Sequence, residues 1–315
     1  MMTSDSKKTG DSNIWRFGMR LAVALILMAF LLFSIGFEAI LGVLQTVDFF
    51  PGLIVGIGLL SLFLLGGFNV WLILNSLHPI SFFTFLRTYS YSWAASLVTP
   101  GQAGDASIIL FMKKHGIGVR ATSVAYLVDK LMTLLVFTVI AWYGCYYLIP
   151  DLKWVWFLLV AGAFLVLPCF IILLQVSVLK IKLLHRIQQG IEAVFNDLFQ
   201  LRSKWYLLII NGVVTIIKWV VVSCVFWMAF RCFNITVNWP YIGVIPILST
   251  LIGYIPVSIA GIGTVELSAV YLFGKVGVSM PVILSVYILL RIFLFLLAGL
   301  LMIFFSKVNS NWDAI

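Results

Sequence analysis

The stretch VTPGQAGDAS, Val98 to Ser107, sets a Pro-Gly pair, a further glycine and a carboxylate inside otherwise apolar sequence. Lipid supplies no hydrogen-bond partners. A broken backbone at membrane depth is therefore tolerated only where it is buried in protein or lines a wet cavity. Whether the chain crosses the membrane here or turns back decides the side of every later loop, and with it the fold.

The surroundings are those of a membrane protein. The chain has 315 residues, 63% hydrophobic and 10% charged, with a mean hydropathy of +1.15. A water-soluble domain of this size needs a far more polar shell. Several apolar runs reach the ~20 residues that cross the hydrocarbon as helix. Full spans are expected at 20–37, 51–74, 119–149, 154–174, 205–230 and 281–305. Two further regions, 82–112 and 241–274, are apolar but interrupted, the first by TPGQAGD and the second by PVSIAGIGTVE.

The charges are placed to orient the chain. Lys7, Lys8, Arg16 and Arg20 precede the run Leu21 to Phe37, which has no small-x-small cleavage site behind it and reads as an uncleaved first span. The net charge of +9 sits largely in short loops between apolar runs, where it sets topology rather than binding nucleic acid. Cys145, Cys169, Cys224 and Cys232 are isolated, and His78, His115 and His185 have no ligand cluster beside them. No metal site and no cofactor is expected.

Topology follows from counting basic residues by side. With the N-terminus cytoplasmic and both interrupted regions re-entrant, 14 fall inside: Lys7, Lys8, Arg16, Arg20, Arg87, Lys113, Lys114, Arg120, Lys180, Lys182, Arg186, Arg202, Lys204 and Lys307. Only Lys153, Arg231 and Lys275 fall outside. A crossing at 82–112 would reduce the balance to 8 inside against 9 outside. The re-entrant arrangement is the better one. It gives an all-α polytopic membrane protein with six full spans and two oppositely oriented re-entrant helical hairpins. The first repeat, 1–150, holds spans 20–37 and 51–74, hairpin 82–112 and span 119–149; the second, 151–315, holds spans 154–174 and 205–230, hairpin 241–274 and span 281–305. Three crossings per half invert one half relative to the other, the order seen in many secondary transporters. Residues 178–201 carry apolar side chains at helical spacing and read as an amphipathic cytoplasmic helix joining the repeats.

The breaks at Pro100, Gly101 and Gly261 would start each returning half-helix at mid-depth, with its N–H groups and positive dipole end facing inward. Such an end suits an anion. Asp105 and Glu266 fall in those first turns, where a carboxylate caps the helix, balances charge or carries a coupling proton. Asp129, Lys130, Lys218 and Arg291 lie inside apolar spans. Each such charge costs ~2.5–3.5 kcal/mol at the bilayer centre, so they should face one another or a cavity. Asp129 follows Asp105 by 24 residues and Arg291 follows Glu266 by 25. That spacing predicts that the span after each hairpin carries its charge beside the hairpin turn.

With the hairpins placed, PGQAGD (Pro100 to Asp105), VDKL (Val128 to Leu131), GIGTVE (Gly261 to Glu266) and LLRIF (Leu289 to Phe293) resemble motifs of the flippase-like family that includes the transmembrane region of lysylphosphatidylglycerol synthase. The resemblance covers about 20–305. Two departures stand out. The family's first motif resembles P-G-R-x-G-E, where this chain has Gln102 and Asp105, and Ile259-Ala260 replaces a Pro-Gly pair before Gly261. Only eight residues follow Lys307, so the synthase's aminoacyl-transferase domain is not expected here. The resemblance implies membrane passage of a lipid or of a lipid-linked group.

The expectation is a lipid translocase rather than an enzyme. Lys130, Lys218 and Arg291, with the helix N-termini near Gly104 and Gly263, would hold the headgroup phosphate; Asp105, Asp129 and Glu266 would balance charge or couple the cycle. Membrane lipids are the expected partners, in a bacterial or archaeal cell membrane with both termini cytoplasmic, and a homo-oligomer is compatible with the sequence. No G-x-x-x-x-G-K-[ST] occurs to power it with ATP. The competing readings are an inverted-repeat transporter of a small soluble substrate or ion, and a membrane-embedded transferase on lipid-linked sugars.

Overall fold

The computed structural model describes residues 5–99, 103–148, 204–253 and 257–309. Every regular element in them is helical: α1 (Asp5–Ile35), α2 (Phe37–Leu44), α3 (Phe49–Leu77), α4 (Phe82–Ser96), a 3₁₀ turn (Ala103–Ser107), α5 (Ile108–Lys114), α6 (Val119–Tyr143) running into a π turn (Gly144–Leu148), α7 (Trp205–Arg231), α8 (Trp239–Gly253), α9 (Thr264–Lys275) and α10 (Met280–Asn309). Pro100, Gly101, the span expected at 154–174 and the amphipathic helix expected at 178–201 lie outside the described residues.

Among the described residues, α3, α6, α7 and α10 are long and apolar enough to cross a membrane, each starting within two residues of its expected start. The first span departs from expectation. Helix α1 stops at Ile35, and Leu21–Ile35 and α2 meet at 84°. The hinge is Gly36, whose φ of +93° is open to glycine and strained for other residues. Counting that bent pair as one span gives five.

The chain divides into two compact units, each drawn from both sequence halves. The first comprises Met1–Leu60, Ser90–Ser107 and Ser223–Ile315. In it α8 and α9 lie against each other, α9 against α10 and α1, and α10 against α2. Phe230 meets Phe273 edge-on at 5.0 Å, and Phe226 meets Tyr287 at 5.3 Å. Helix α3 begins where Asp48 Oδ1 accepts the Phe50 N–H at 2.9 Å, and the Asp48 N–H reaches the Cys232 carbonyl at 2.8 Å. Pro51 falls in this first turn, where its missing N–H costs nothing.

The second unit comprises Ser61–Tyr89 and Ile108–Val222. Its core gathers Val70, Ile73, Leu74, Phe85, Ile108, Met112, Val124 and Val128. Gly66 and Gly67 let α4 approach α3: a β-carbon on either would stand 2.8 Å from Tyr89 or Leu86. Small residues at such crossings are the usual means of close packing in membranes.

Candidate functional site

Buried polar groups collect at two places, one in each unit. In the first unit the collection is built on the turn before α9. Ala260 and Gly261 both take left-handed φ, +49° and +70°, and Gly263 follows at +85°. A β-carbon on Gly263 would come within 2.5 Å of Leu27 Cβ, so only glycine fits against α1. The turn is closed by its own hydroxyls: Thr264 Oγ1 donates to the Gly261 carbonyl at 3.0 Å, and Ser258 and Thr264 share a bond of 3.2 Å.

Glu266 joins this turn to α10. Its Oε2 accepts the Gly263 N–H at 2.7 Å, and its Oε1 accepts Arg291 Nε at 2.6 Å. The glutamate is 1% exposed and the arginine 21%. Both Arg291 terminal nitrogens point at the Ala260 carbonyl, at 3.4 Å each, a long contact. The guanidinium thus commits one donor strongly and holds the rest loosely. The offset-based expectation is met here: the charge on the following span stands beside the turn.

The first break reaches the same turn. The Ala260 N–H donates to the Thr99 carbonyl at 3.0 Å. Thr99 Oγ1 in turn accepts the Gly104 N–H at 2.7 Å. Gly104 lies against the end of α4, where a β-carbon would sit 2.4 Å from the Ala95 and Ser96 backbone. Ser92 Oγ completes the fold-back, reaching the carbonyls of Gly104 and Asp105 at 3.1 and 2.7 Å. Asp105 is partly buried in this turn.

These bonds correct one expectation. Gly104 and Gly263 were to offer N–H groups to a phosphate, but Thr99 and Glu266 already accept them. Burial inside protein requires such pairing, and the chain supplies it from its own side chains.

The second unit holds the other collection. Lys218 Nζ stands 3.4 Å from Asp129 Oδ1. Asn69 Nδ2 reaches Asp129 Oδ1 at 3.1 Å, Thr215 Oγ1 at 2.9 Å and the Asn211 carbonyl at 3.3 Å. Asn211 Nδ2 returns a bond to the Asn69 carbonyl at 3.2 Å. Asp129 takes its ionic partner from α7. Lys130 lies over the Tyr126 ring at 5.4 Å, one turn back on α6. The amides Asn69 and Asn211 escaped the sequence reading, which searched for charges. Their signal was present, since each is an amide set in an apolar span.

Among the described residues no group of three or more His, Cys, Asp or Glu side chains could hold a metal.

Comparison with curated proteins and with solved structures finds no match. A family model does match: lysylphosphatidylglycerol synthase TM region, over residues 19–301. The family likeness drawn from the four motifs is thereby borne out. The match also corrects the expectation of no enzyme, because the family is named for an enzyme, lysylphosphatidylglycerol synthase, and the matched model describes its membrane region. By an alignment covering most of its length, this multi-pass membrane chain belongs to the lysylphosphatidylglycerol synthase TM-region family.

Proposed function

We propose that the protein is a lipid translocase, moving the polar headgroup of a phospholipid or lipid-linked molecule between leaflets. One observation carries this reading. Arg291, on an apolar span, is anchored by Glu266 through Nε while its two terminal nitrogens are held only at 3.4 Å and the side chain remains 21% exposed. A planar donor fork fixed at one edge and open at the other suits a phosphate. Family membership supports a lipid-related role. Lys218, 17% exposed with Asp129 as its ionic partner, is a second cation of the same kind. The proposed frame is the inverted repeat, 1–150 and 151–315, with both hairpins re-entrant, both termini cytoplasmic and the chain in the cell membrane.

The test is leaflet exchange of lipids in proteoliposomes across several headgroup classes, for the native chain, Arg291→Ala and Glu266→Gln. A charge-assisted hydrogen bond contributes about 1.5–3 kcal/mol, so Arg291→Ala should slow exchange roughly 10- to 100-fold. Glu266→Gln should slow it as well, because the neutral amide no longer anchors the guanidinium. Size-exclusion and circular dichroism confirm that each variant is folded. Absence of exchange for every headgroup would overturn the reading in favour of a water-soluble substrate.

A further inference from the structure

The two acid–base pairs are built differently, and the difference assigns them different work. Glu266 is closed: each oxygen has a short donor, at 2.6 and 2.7 Å. Asp129 is open. Its Oδ1 takes both Asn69 Nδ2 at 3.1 Å and Lys218 Nζ at 3.4 Å, while no donor among the described residues reaches Oδ2. It is nonetheless buried, at 5% exposure.

A second observation points the same way. Asn69 Oδ1 and Asn211 Oδ1 are fully buried and accept no hydrogen bond. Asn69 Oδ1 belongs to the same amide that already touches Asp129. Buried acceptors without donors are uncommon. A protonated carboxyl carries an O–H donor that an ionised one lacks. Asn69 Oδ1 lacks a donor on an amide that already touches Asp129, and a proton on Asp129 would add a donor to the cluster.

We propose that Asp129 is a proton-binding site that loads one proton with each anionic headgroup taken by Lys218, making the protein a proton–lipid symporter. This rests on the translocase reading above. As it stands the pair is neutral. Lys218 carries three N–H donors, of which one reaches Asp129, so its ammonium can also donate to a phosphate oxygen. That phosphate would place a second negative charge against the ammonium that Asp129 already uses. Protonation of Oδ2 removes the conflict and returns the loaded site to neutrality. The proton comes from water on the loading side and leaves to water on the other side when the headgroup departs; nothing is oxidised or reduced. Among the described residues the ionisable neighbours are Lys218 from α7 and Lys130, next on α6 and set over Tyr126; α3 contributes the neutral Asn69.

The experiment uses phosphatidylcholine vesicles holding the full chain and a trace of short-chain, acyl-labelled phosphatidylglycerol, with the membrane potential clamped at zero. Albumin back-extraction reads the label left in the outer leaflet. With one proton per lipid, a difference of about one pH unit should shift the leaflet ratio about tenfold toward the alkaline side. A pH dye trapped inside should acidify in step with label entry when no gradient is imposed. In Asp129→Asn the gradient should shift nothing, whatever exchange rate remains. Exchange that ignores the gradient in the native chain, without dye acidification, overturns the coupling and leaves the translocase standing. A gradient-driven shift that persists in Asp129→Asn overturns the assignment to Asp129. No exchange at any pH removes the translocase reading and the coupling with it. The native-chain measurements decide the matter even where the variant fails to fold.

Discussion

Ala260 sits at φ +49°, in the left-handed region where a β-carbon crowds the following carbonyl. Family motifs carry a Pro-Gly pair where this chain has Ile259-Ala260, so the alanine stands where a glycine would be unstrained. Left-handed geometry costs an L-residue roughly 1–2 kcal/mol, and glycine returns ~0.5–1 of that as unfolded-chain entropy. Ala260→Gly should therefore raise the thermal midpoint in detergent slightly. Gly263→Ala should lower it, because its φ of +85° and the 2.5 Å approach to Leu27 leave no room. If both changes prove neutral, the turn is not held as described. At this scale the sequence was partly legible. Glu266 and Arg291 could be paired from their spacing, since a helix after a short hairpin returns past its turn. Asp129 could not be paired from spacing: Lys218 lies 89 residues away, and only packing brings them together.

Helices α3, α6, α7 and α10 were readable because each apolar run is long enough to span by itself, and hydropathy measures just that. The bend at Gly36 was not. Apart from Glu38 the sequence stays apolar from Ile35 through Leu44, and hydropathy carries no record of backbone direction. The interrupted regions were readable as breaks because proline and glycine punctuate them, yet how Thr99 meets Ala260 depends on two turns that share no sequence signal. Helices α3 and α7 are held by exchanged amides, Asn69 to the Asn211 carbonyl and Asn211 to the Asn69 carbonyl. Asn69→Leu removes the Asn69 half of this exchange, leaves the Asn211 bond to the backbone carbonyl of residue 69, and strips donors from Thr215 and Asp129. The loss should be about 1–3 kcal/mol, visible as a lower melting temperature of the purified protein. Ile209→Ala, at a residue 53% exposed two positions from Asn211, is the control, with an effect within about 0.5 kcal/mol. Equal losses from the two would remove the clasp from the account of stability.

Across the described residues many large apolar side chains face outward, the inverse of a soluble protein's surface. Phe33, Phe49 and Leu300 stand exposed, while Asn69, Asn211, Ser249 and Glu266 are buried. That inversion was foreseeable from composition, because lipid accepts apolar surface and rejects unpaired polar groups. The side of each loop is a separate matter, and labelling decides it. In a background without native cysteines, a membrane-impermeant maleimide added outside should modify Lys275→Cys and spare His115→Cys, both being exposed positions. Labelling of His115→Cys would mean that 82–112 crosses, and the inverted repeat would fall. Cys224 is exposed and needs replacing first. Cys232 is buried, and burial, then nearby Asp48, pushes its thiol up to about 11, so it stays protonated and slow to react.

The amide clasp also has a consequence in time. Its halves lie 142 residues apart along the chain. At synthesis rates of about 5–20 residues per second, Asn69 emerges from the ribosome roughly 7–28 s before its counterpart. Asp129, 60 residues behind Asn69, comes earlier, but until α7 follows, the Asn69 amide lacks its partners Asn211 and Thr215. Translation therefore sets the schedule of maturation: α3 can be inserted early, but it cannot be finished until α7 has been made.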